Sequence, residues 1–151
     1  MTALRYASTP ATVTDGAIPE YSPADANGRP QVALGGNGQI TSASRIVSAA
    51  GTTNATSAKA SAGTLWAIKG YNAAATARYL KLYNKASAPN VGTHTPVLTL
   101  YLPPTTAFAL DWWPGRYFDT GIAYALTTGS ADNDTGALTA GDVLGLNVEY
   151  S

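Results

Sequence analysis

The sequence predicts an all-β protein: a single β-sandwich of about eight antiparallel strands, preceded by an extended N-terminal arm. Three observations predict it. Thr, Tyr, Gly and Pro are common, while the helix formers Glu, Gln and Lys are scarce. Short runs of strand-like residues recur from Arg45 onward, several of them alternating apolar and polar side chains. Turn formers and strand breakers separate these runs.

The arm is residues 1–44 and the sandwich domain residues 45–151. The arm carries Pro10, Pro19, Pro23 and Pro30 with Gly16, Gly28, Gly35, Gly36 and Gly38, and its large apolar residues are scattered. Such a segment cannot bury enough surface to fold alone. Asn27-Gly28 marks a turn, because Asn-Gly readily adopts positive φ. Gly35-Gly-Asn-Gly38 reads as a hinge. Tyr6, Ile18, Tyr21, Val32 and Leu34 are the side chains with which the arm would anchor on a partner or a neighbouring subunit.

The expected strands are 45–49, 56–60, 64–71, 77–84, 96–102, 107–112, 121–127 and Val143–Tyr150. In the fourth, Leu80 and Leu82 oppose Tyr79, Lys81 and Tyr83. In the fifth, Leu98, Leu100 and Leu102 oppose Val97, Thr99 and Tyr101. In the eighth, Leu144, Leu146, Val148 and Tyr150 oppose Val143, Gly145, Asn147 and Glu149. Alternation of period two places one face inside. Residues 72–77 have the length of one helical turn, too short to change the class. About eight strands at this spacing fit a two-sheet sandwich, and the count favours a jelly roll over an immunoglobulin-like topology.

Composition excludes several functions. Charged residues are 12% of the chain, about half the usual share. Nine basic and nine acidic residues cancel, which argues against nucleic-acid binding. There is no cysteine, so no disulfide and no thiolate metal site. No stretch approaches the length of a membrane span, and residues 1–10 lack a signal-type apolar run.

Chemical motifs are few. His94 is the one histidine and lies in a loop. A triad would need it beside Ser87 and Asp111, and no Gly-x-Ser-x-Gly elbow is present. Asp132-Asn-Asp134-Thr-Gly136 resembles the start of a calcium loop, but its Gly is fifth and position twelve is Val143, so a polar turn is the favoured reading. Asp111 and Asp119 flank Trp112-Trp113-Pro-Gly-Arg-Tyr117, an acidic and aromatic stretch that suits a sugar platform. A corner with Trp112 closing the core and Arg116 paired to Asp119 accounts for the same residues. Tyr71, Tyr79, Tyr83 and Tyr101 fall on outward faces if the leucines face in. With Trp112, Trp113 and Tyr117 they form the expected protein-interaction surface. No catalytic, cofactor or metal residues are expected, and the chain reads as a non-enzyme.

Several phrases resemble small virion-associated structural proteins of tailed bacteriophages. They are Ser48-Ala-Ala-Gly-Thr-Thr-Asn-Ala-Thr-Ser-Ala-Lys-Ala-Ser-Ala-Gly63, Tyr79-Leu-Lys-Leu-Tyr-Asn-Lys-Ala-Ser-Ala-Pro89, Thr120-Gly-Ile-Ala-Tyr-Ala-Leu-Thr-Thr-Gly129 and Ala131-Asp-Asn-Asp-Thr-Gly136. Upstream, Asp25-Ala-Asn-Gly-Arg-Pro-Gln-Val32 is similar to arm segments that precede such domains. The resemblance implies a capsid decoration (cement) protein, or else a receptor- or glycan-binding module of a fibre or tail. It further implies a place on the capsid surface after assembly in the host cytoplasm, contact with the major capsid protein or other virion proteins, a homotrimer, and neither cofactor, nucleic acid nor membrane as partner.

Overall fold

The computed structural model describes residues 42–151, and these are all-β, with no helix. The expected arm up to residue 41, with Tyr6, Ile18, Tyr21, Val32 and Leu34, lies outside the described residues. Eight strands follow one another: β1 (Ser42–Ile46), β2 (Thr56–Lys59), β3 (Gly63–Asn72), β4 (Arg78–Asn84), β5 (Leu98–Leu102), β6 (Thr106–Phe118), β7 (Ile122–Thr127) and β8 (Val143–Tyr150). They make two antiparallel sheets of four strands, ordered β1-β8-β3-β6 and β2-β7-β4-β5. The pairing is nested: β1 with β8, β2 with β7, β3 with β6 and β4 with β5. β3 also pairs β8, and β4 also pairs β7, which closes each sheet.

The main core cluster draws on both sheets. The first sheet contributes Leu65, Ile68, Phe108, Phe118, Val143, Leu146 and Val148; the second contributes Leu80, Leu82, Leu102, Ile122, Tyr124 and Leu126. These are the inward positions that alternation marks in β4 and β5. Burying such a side chain contributes roughly 1.5–3 kcal/mol. Asn72, fully buried, ties the layers at one end. Its amide donates to the carbonyls of Thr76, Leu102 and Pro103 and accepts from Ala74 N. These bonds organise residues 72–77 as a turn, where the sequence allowed a helical one.

Three local features depart from simple alternation. The first strand runs Ser42–Ile46, ahead of the expected 45–49. In β8, Val143 is buried and Leu144 is 39% exposed, the reverse of the expected order. The cause is a register shift opposite Lys69 and Tyr71, with Gly145 at φ +55°, which adds a residue and flips the parity. The third departure is in β6, which passes through Pro114-Gly115 instead of stopping at Trp112.

Candidate interaction surface

β6 is an edge strand of its sheet, and its pairing with β3 slips by several residues at one place. Leu65 pairs with Arg116 and Ala67 with Asp111, so Trp112, Trp113, Pro114 and Gly115 bulge out opposite the single residue Trp66. A proline is tolerated here because an edge bulge needs no ladder N–H. Gly115 sits at φ +104°, a conformation side chains rarely adopt. A Cβ on it would overlap Thr64 Cγ2 and come within 2.9 Å of Trp66 Cζ3. Gly115 thus lies close against the indole of Trp66, which in turn donates from Nε1 to Ser151 Oγ at 3.1 Å.

The two tryptophans of the bulge have opposite fates. Trp112 is half-buried and packs against the core, as the corner reading expected. Trp113 is 93% exposed, and Tyr117, beyond the bulge, is 67% exposed. Arg116 does not pair with Asp119. Its guanidinium lies 5.9 Å from the Phe118 ring centroid, and Nη2 reaches Val97 O at 3.5 Å. That contact ties β6 to the residue just before β5, the edge strand of the other sheet. Val97 and Tyr101 on that second edge are exposed as well.

The tyrosines divide. Tyr79 and Tyr101 pair edge-to-face across β4 and β5, with centroids 5.8 Å apart. Tyr71 pairs with Leu144 on the first sheet, and both are 39% exposed. Tyr83 is a correction. It does face away from the leucines, but it is 1% exposed, packed in a second small cluster with Ala123, Ala125, Ala55 and Val91. Sequence periodicity gives the face of a strand but not what the loops lay over it.

The acidic groups are engaged separately. Asp111 is exposed and lies 4.0 Å from Lys69, which is also bonded to Glu149. Asp119 caps the β6–β7 turn, accepting from Asn84 Nδ2 and from Thr120 Oγ1. Those hydrogen bonds, the Asn84 one first, hold its carboxyl below the usual value. Asp111 and Asp119 thus have different partners, Lys69 for the first and Asn84 with Thr120 for the second. His94 Nδ1 accepts from Asn90 N at 2.9 Å, which fixes its own loop. No cluster of three His, Asp or Glu residues suited to a metal occurs among the described residues.

No family model, curated protein or solved structure matches this chain. The surface itself therefore carries the functional argument. Sequence reasoning selected Trp112, Trp113 and Tyr117 but missed Trp66 and Gly115, which set the platform's shape. Aromatic residues on both sides of a Pro-Gly pair were the available signal for a bulge within a strand, rather than a turn between strands.

Proposed function

We propose that this chain is a structural protein of a virion, a capsid decoration protein that binds the assembled shell of a tailed phage through its β5–β6 side. Its topology in this reading is a jelly-roll β-sandwich. The nested pairing of first with last, second with seventh, third with sixth and fourth with fifth supports a jelly roll over an immunoglobulin-like order.

The observation that carries the reading is Trp113. A 93% exposed indole on a bulge braced by Gly115 and Trp66 has no packing role in its own subunit. Exposed apolar surface of this kind marks a contact site. An aromatic anchor in an interface is worth about 2–4 kcal/mol, roughly a 30- to 1,000-fold change in affinity. The partners proposed are the major capsid protein and other copies of the chain, in a trimer. Binding to the closed shell and not to free subunits then stabilises the shell by mass action.

The test is a binding titration on purified shells stripped of the protein. Trp113→Ala should bind at least about 30-fold more weakly while the free protein melts at an unchanged temperature. Equal binding by the variant would remove the proposal's main support. A second reading, a glycan-binding fibre or tail module, is favoured by the exposed Asp111 carboxylate at the start of the same bulge. Hundreds of copies per particle by quantitative mass spectrometry would favour decoration. A dozen or fewer, with glycan binding lost in Trp113→Ala, would favour the fibre module.

A further inference from the structure

Lys81 is the least expected residue of the molecule. It lies in the middle of β4, on the side away from the leucines, and it is 0% exposed. An isolated charge so placed costs several kcal/mol unless it is fully bonded. Its Nζ donates to the backbone carbonyls of Ala131 at 2.5 Å and Asp134 at 3.0 Å, with Asp132 O farther off at 3.4 Å. Three converging oxygens match the three N–H donors of an ammonium, where a neutral amine has two.

The loop holding those oxygens also lies against Gly92, where an added Cβ would come within 2.6 Å of Thr135 Cγ2 and 3.3 Å of Asn133 O. Its amides turn the opposite way: Gly129 N and Gly136 N both donate to Asp134 Oδ1, at 3.1 and 3.0 Å. Asp134 N closes a turn onto Ala131 O. The loop packs closely at both flanks, where a Cβ on Gly129 or Gly136 would displace the Asp134 or Thr128 side chain. Carboxylate and amides thus form the outer ring, and carbonyls form the inner one. That is the oxygen-lined arrangement of a cation loop, with the calcium-like Asp132-Asn-Asp134 spacing, yet its centre holds a side chain of the same protein. Burial pulls the Lys81 pKa down, while the Asp134 and Asp132 charges favour the ammonium.

We infer that residues 129–136 form a cation-organised strap whose cation is the Lys81 ammonium, and that this latch seals the outer side of β4 and β7. The loop needs no metal because β4 supplies the positive charge. Lys81 lies beside Ala125 in the β4–β7 register, so the latch borders the layer in which Ala125 packs with Tyr83 and Ala123 under Ala55 and Val91. This inference is independent of the proposed virion role.

The decisive measurement is on the full, unaltered chain. Nitrogen-detected NMR should show Lys81 ammonium protons in slow exchange at neutral pH, with hydrogen-bond couplings to the carbonyls of Ala131 and Asp134. Rapidly exchanging ammonium protons would overturn the inference. In Lys81→Met, amide exchange at Gly129 and Gly136 should accelerate at least about tenfold while β3 and β8 amides keep their protection. Unchanged loop protection in that variant would overturn it too. If Lys81→Met does not fold, the wild-type spectrum decides. Calcium gives the third arm: it should leave the wild-type melting temperature unchanged, and a rise of several degrees would show that a metal, not Lys81, fills the loop.

Discussion

Gly115→Ala would test whether the bulge is a rigid platform. Two costs follow from the structure. The first is conformational: φ +104° is open to glycine and strained for alanine, at about 1–3 kcal/mol. The second is steric. The new methyl would overlap Thr64 Cγ2 and lie 2.9 Å from Trp66 Cζ3, inside ordinary contact distance. Overpacking of that kind costs about 1–3 kcal/mol. Together they come to roughly 2–6 kcal/mol, against a total of about 5–15 for a domain. At about 3–6 °C per kcal/mol for a domain of this size, the melting temperature should fall by roughly 6–36 °C. Urea unfolding followed by tryptophan fluorescence gives the free energy directly. Adding Thr64→Ser, which removes Cγ2, should restore part of the steric cost and none of the φ cost, a coupling that a double-mutant cycle isolates. Stability within about 0.5 kcal/mol of wild type would refute the claim that Gly115 is locked against Trp66.

Other outcomes follow from buried polar groups. Arg78 Nε lies 2.8 Å from Asp142 Oδ2, with both side chains nearly covered, and the same oxygen accepts from Thr139 N. Arg78→Met strands the carboxylate and should cost about 3–5 kcal/mol in chemical denaturation; a loss under about 1 would mean the pair is solvated. At high pH the tyrosines dominate. Burial raises the folded pKa of Tyr83, with the Asp132 charge adding to it, and burial likewise raises Tyr124, both from an ordinary 10.0. The unfolded chain loses these protons first, so their stabilisation is complete below about pH 10 and is lost as pH climbs through the folded values. Tyr83 OH is buried without a hydrogen-bond partner, so Tyr83→Phe should be neutral or stabilising at pH 7 and should soften the alkaline loss. A marked destabilisation at pH 7 would reveal a bonded hydroxyl.

Much of the architecture was legible in the sequence. Strands from β2 to β8 start within a few residues of expectation because their alternation and their turns agree. Leu80, Leu82 and Leu102 face in as the pattern requires. What failed was local or non-local. Gly145 adds one residue to β8 and exchanges the places of Val143 and Leu144, and a periodicity has no means of announcing its own interruption. The Pro114-Gly115 pair breaks most strands, and here it is absorbed because β6 is an edge. Tyr83 and Lys81 sit on the expected face, but the segments holding Ala55, Val91 and residues 131–134 cover it. At the candidate surface, Trp113 and Tyr117 were visible as residue types, while their support by Trp66 depends on a pairing across some fifty residues of chain.

The nested pairing of the strands also sets an order of events in time. β4 and β5 meet across one loop, whereas joining Ser42 to Tyr150 closes nearly the whole described chain. Loop-closure entropy rises with the length enclosed, so each inner pair shortens the loop that the next must close. The cheapest route zips outward from β4–β5 to β1–β8, with few local contacts to speed it, and places the chain among slow folders. The strand that leads in from the N-terminal segment is then the last to lock, which leaves β1 the part of the sheet most easily lifted without unravelling the rest.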